Sequence, residues 1–136
     1  MSNDNLSSKI SLSTSICKME LKSNDIVYIY TFEDAEIEIP EIDELNKNVR
    51  SLVSDRPYYL IVFPGVGSTS SHEARKYAAK LKDKNVVAEA IVLNNLAIRL
   101  LANFYMTVNR PKQKIKLFSN ESAALAWINA LKEKGS

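Results

Sequence analysis

One cysteine, one histidine and three glycines are all that 136 residues contain of those types. A lone thiol, Cys17, forms no internal disulfide, so the fold must rest on burial of apolar side chains, and a reducing, cytoplasmic setting is expected. With His72 as the single histidine there is no cluster of soft ligands, and no metal is expected. Neither sign of charge dominates: 18 basic and 16 acidic residues leave a net +2. The two signs are interspersed, which gives no broad field for nucleic acid. Long apolar runs are missing too. The longest, residues 96 to 108, is interrupted by Arg99 and Asn103 and is too short to cross a bilayer, so no membrane insertion is expected.

What is present is an ordinary globular composition, 46% hydrophobic and 25% charged, in a chain of one-domain length. Residues 1 to 15 are rich in Ser and Asn and lack a basic start followed by an apolar run. They read as a flexible N-terminal segment ahead of a single domain over 16–136. Cys17, Met19 and Leu21 alternate with Lys18 and Glu20, the period of a strand with one wet face. The β-branched and aromatic run from Ile26 to Phe32 follows after a turn and predicts the second arm of an antiparallel hairpin. Pro40 suits a helix start; Ile42, Leu45, Val49, Leu52 and Val53 recur at helical spacing until Pro57.

The period then switches back. Tyr58 to Phe63 is a continuous apolar strand, a helix begins near Ser71 with Ala74, Tyr77, Ala78 and Leu81 on one face, and residues 86 to 93 form another strand. Residues 96 to 108 read as a third helix, Ile115 to Phe118 as a fifth strand, and a last helix follows Asn120 with Ala124, Trp127, Ile128 and Leu131 inward. The expected architecture is an α/β single domain of order ββαβαβαβα, with a mixed sheet of about five strands, mostly parallel, and about four helices.

Together with the segments Glu73-Ala74-Arg75-Lys76-Tyr77-Ala78-Ala79, Arg99-Leu100-Leu101-Ala102-Asn103-Phe104 and Lys116-Leu117-Phe118-Ser119 before the Trp127 helix, this order resembles the STAS, or anti-sigma-factor-antagonist-like, family and its small bacterial members of unassigned activity. The resemblance implies a non-catalytic regulatory module that binds another protein, with a phosphorylated Ser at the start of the helix after the third strand. The matching region is Gly67-Ser68-Thr69-Ser70-Ser71, which makes Ser68, Thr69, Ser70 and Ser71 the candidate phospho-acceptor or anion-binding residues, Ser70 and Ser71 first. The family's Asp-Ser-Ser/Thr-Gly signature is absent: no Asp precedes these serines, and His72 stands where the signature has Gly.

Without the resemblance, the same loop joins a strand end to a helix start, where free N–H groups favour anions. It lacks the Gly-Lys-Ser/Thr ending of a phosphate-binding loop and the third glycine of a dinucleotide fingerprint, so no cofactor is expected. The competing reading is that two glycines make the turn and the hydroxyls cap a helix. A Gly-x-Ser-x-Gly elbow is missing, so the serines beside His72 do not predict a hydrolase, and no enzymatic activity is expected. The 96–108 helix is apolar nearly all round, which makes Leu96, Arg99, Asn103 and Met106 a candidate partner surface, a homodimer included. The alternative function is a small-molecule or lipid-binding domain, or an unmarked enzyme, with a pocket at the C-terminal edge of the sheet near Phe63, Asn94 and Asn103. The carboxylates from Glu33 to Glu44 read as a solvated segment matched to a helix start.

Overall fold

A computed structural model describes residues 10–23, 25–81, 84–95 and 114–135. Its elements are strands β1 (Ile10–Ser13), β2 (Cys17–Lys22), β3 (Ile26–Thr31) and β4 (Glu36–Ile37), helix α1 (Ile39–Val53), strands β5 (Tyr58–Phe63) and β6 (Thr69–Ser70), helix α2 (His72–Leu81), strands β7 (Val86–Val92) and β8 (Lys114–Phe118), and helix α3 (Glu121–Gly135). The main sheet has the order β1-β2-β3-β5-β7-β8; β4 and β6 form a separate two-stranded ladder. β1, β2 and β3 pair antiparallel, whereas β3, β5, β7 and β8 run parallel.

The α/β class and the mixed sheet opened by a hairpin are therefore as the periodicity predicts. The counts are not. Six strands build the main sheet rather than five, and β4 and β6 are additional. β1 lies inside the stretch read as a flexible segment; its strand character comes from pairing with β2, Leu12 facing Met19 and Ile10 facing Leu21, and from a turn closed by Thr14. Two-residue strands such as β4 and β6 are set by contact between loops, and no periodicity marks them. Three helices are found among the described residues; the helix expected over 96–108 lies outside them.

Alternation along β2 and β3 sends two sets of side chains to opposite faces. Cys17, Met19, Leu21, Val27 and Ile29 pack with Val49, Leu52 and Val53 of α1. Tyr28, Tyr59, Ile61, Ala88 and Ala90 pack with Ala124 and Ile128 of α3. Ala88 and Ala90 are small where α3 crosses, which lets the helix approach the sheet. α2 is a shallower cover than its pattern predicts. Ala74 is buried, but Ala78 is exposed and Leu81 is 38% exposed. It rests against α1, where Tyr77 donates a hydrogen bond to Asp43 Oδ1 at 2.5 Å.

Candidate functional site

β3 and β5 are parallel neighbours, so the loops that follow them leave the sheet at the same edge. Gly65 lies so close to the carbonyls of Thr31 and Phe32 that a Cβ there would collide with backbone. Gly67 adopts φ 75°, and a Cβ on it would meet the Asp34 carboxylate. These two glycines are what allow the loops to touch. Main-chain bonds then fasten them: Asp34 N donates to Val66 O at 2.8 Å, Thr69 N to Ala35 O at 2.9 Å, and Ser68 N to Gly65 O at 3.1 Å. The parallel pairing of β4 with β6 extends the seam.

On this anchored loop the four candidate hydroxyls have different roles. Ser68 Oγ donates to Gly65 O at 2.8 Å and helps close the turn. Ser71 is the N-cap of α2: its Oγ accepts from Ala74 N at 3.0 Å and donates to Glu38 Oε1 at 2.6 Å. Thr69 is exposed on β6. Ser70 lies beside Arg75, whose Nη1 donates to the Ser70 carbonyl at 2.5 Å and stands 3.5 Å from its Oγ. Ser71 thus performs the capping role foreseen by the competing reading, and Ser70 is the hydroxyl next to a guanidinium. Arg75 stands five residues after Ser70, one turn into the helix, a spacing that local sequence rules alone do not single out.

Most of the carboxylates of the acidic run are engaged in fastening α1. Glu38 accepts from Ser71, Asp43 from Tyr77, and Glu44 from the Ser15 hydroxyl at 2.7 Å. Glu41 accepts from the Glu38 main-chain N–H at 2.9 Å, closing the first turn. The bond to Asp43 holds the Tyr77 phenol above its ordinary range. Cys17 is wholly buried, and burial pushes its thiol up against a smaller opposing effect of the Thr14 hydrogen bond, which disfavours a reactive thiolate. His72 is exposed in the first turn of α2.

The other proposed surface, Leu96, Arg99, Asn103 and Met106, lies outside the described residues, as does Asn103 of the proposed pocket. Asn94 is exposed, and Phe63 is half-buried, stacked on Tyr30 with centroids 4.8 Å apart and planes 9° apart. Tyr28 joins this row 6.1 Å from Phe63 and donates its hydroxyl to Glu121 Oε2 at 3.1 Å. No group of carboxylates, histidine and cysteine able to hold a metal ion occurs among the described residues. No helix among them is long and apolar enough to cross a membrane.

A family model described as a domain of unknown function, DUF7793, matches residues 19–132. The chain belongs to this family, whose span runs from β2 to α3 and includes both loops of the seam. No curated protein and no solved structure is matched by the chain.

Proposed function

We propose that the chain is a non-catalytic regulatory domain of the STAS-like kind that binds another protein, and that the charge on Ser70 controls that binding. The observation that carries this reading is Arg75 Nη1 at 3.5 Å from Ser70 Oγ, on a loop held rigid by its seam. A phosphate on Ser70 adds nearly two negative charges and three acceptor oxygens. The guanidinium of Arg75 and the positive end of the α2 dipole would both stabilise it, so the loop could change its surface charge without unfolding. Ser71 is a poorer acceptor on the same grounds. A phosphate there would remove a helix cap and place its charge against Glu38.

Phosphosite mapping on the native protein across growth conditions, paired with affinity capture using wild type, Ser70→Asp and Arg75→Ala, tests this. Expected are a modification at Ser70 and at least a severalfold change in capture of a partner by Ser70→Asp. An unmodified Ser70 together with identical capture by wild type and Ser70→Asp would refute the reading.

A further inference from the structure

The two fastened loops also raise two large apolar side chains into solvent. Phe32 is 44% exposed and Val66 is 79% exposed. They project from segments joined by the Asp34 to Val66 main-chain bond, with Gly65 pressed on the Phe32 carbonyl, so they form one feature at the C-terminal edge of the sheet. Exposed Pro64 adjoins them. An aromatic held on a rigid frame loses little freedom when it is covered, which is the property of an interface anchor.

Among the described residues, the charge that adjoins Phe32 along the chain is acidic. Glu33, Asp34 and Glu36, all exposed, follow directly on Phe32, in a chain whose total is +2. Of the cations on nearby elements, Lys18 lies 3.3 Å from Glu20, which offsets its charge. Carboxylates around an apolar centre repel the phosphates of nucleic acid and of anionic lipid, and they attract Lys and Arg.

We infer that the Phe32–Val66 edge is a docking surface for a protein segment that presents an apolar anchor flanked by Lys or Arg. This rests on the reading that the chain works through protein contacts, and it does not depend on the charge of Ser70.

Selection of a random-peptide display library on the full-length protein tests it, with binding of the selected peptides then measured on variants. The expected result is enrichment of apolar residues flanked by Lys or Arg, with affinity falling about tenfold in the Phe32→Ala, Val66→Ser double variant. Glu33→Lys with Glu36→Lys should shift the selected flanks toward Asp and Glu. Both pairs of positions are exposed, and amide spectra of the variants establish that the fold is retained. No enrichment, acidic or neutral flanks, or peptides indifferent to the double variant would overturn the proposal. Equal or tighter binding of phosphatidylserine vesicles or of an oligonucleotide at Phe32 and Val66 would overturn it too. A failure here beside a mapped, functional Ser70 phosphate would leave the switch standing, and the converse result would leave this surface standing.

Discussion

The two faces of the main sheet are made from alternate residues of the same strands, yet they are closed by different chemistry. Toward α1 the side chains are mainly aliphatic and sulfur-containing, with Tyr58 as the buried aromatic among them, and Cys17, Met19 and Val27 are wholly buried. Toward α3, Tyr28 and Tyr59 join Ile26, Ile61 and four alanine and isoleucine partners on β7 and α3, aromatic rings line the outer part of the face, and polar groups ring it: Tyr28 bonds to Glu121, Lys22 lies 4.1 Å above the Tyr28 ring, and Lys132 bonds to Asp25 at 3.0 Å. Dispersion and area hold the first face. The second adds ion pairs, cations over aromatic rings and a phenol bonded to a carboxylate at its margin, so pH and salt should act on it selectively.

The largest expected effect lies on the aliphatic face. Met19 is completely buried between the hairpin and α1, and Met19→Ala should cost about 3 kcal/mol in denaturant unfolding, with little dependence on salt. If the loss proved below about 1 kcal/mol, that face would be able to collapse, and the contrast would weaken. Thr14→Val, near the margin of the same face, comes next. Thr14 Oγ1 accepts from the main-chain N–H groups of Ile16 at 3.2 Å and Cys17 at 3.1 Å, so the variant strands donors in a buried turn and should cost about 2 kcal/mol.

A smaller effect, but one of a different kind, is expected from Tyr28→Phe. The loss of one part-buried hydrogen bond to Glu121 should cost about 1 kcal/mol near neutrality. Burial first, and the Glu121 carboxylate second, push the Tyr28 phenol above its ordinary range, and Tyr30 is raised in the same direction. Because the folded state retains this proton longer than the unfolded chain does, the stabilisation is complete below about pH 10 and is lost as pH rises beyond it. Urea unfolding from pH 8 to 11 should therefore show a shallower alkaline decline in Tyr28→Phe than in wild type. Parallel slopes would mean that ionisation on the aromatic face is not coupled to folding.

The contrast between the faces explains what the sequence disclosed. Residues at period two in β2 and at helical spacing in α1 signal burial directly, so the hairpin, α1 and the parallel strands were readable. β1 was not, because Ile10 and Leu12 are too few to establish a period and the strand depends on its partner. β4, β6 and the seam depend on two glycines meeting the backbone of a distant loop, a tertiary fact that Gly65 and Gly67 hint at but do not locate. In the candidate site, the Ser71 cap followed from local rules. The Glu38 bond to Ser71, 33 residues away, did not, nor did the exposure of Phe32, which reads in sequence as the last residue of the hairpin's second arm.

The smallest effect is expected where the aromatic face meets water. Lys132 pairs with Asp25 across 3.0 Å, and both side chains remain about one-third exposed, so solvent screens the attraction. The ammonium also lies 5.9 Å from the centroid of the Tyr59 ring, a contact that a neutral chain of similar length would only partly reproduce. Lys132→Gln should therefore lower stability by about 0.5 kcal/mol at low salt, and the difference from wild type should shrink on adding about 1 M sodium chloride, where the screening length falls to about 3 Å. Met19→Ala measured beside it should keep its full deficit in the same salt. If both variants responded to salt alike, the division of this sheet into an aliphatic face and an electrostatically trimmed aromatic face would not hold, because one set of forces would then govern both sides.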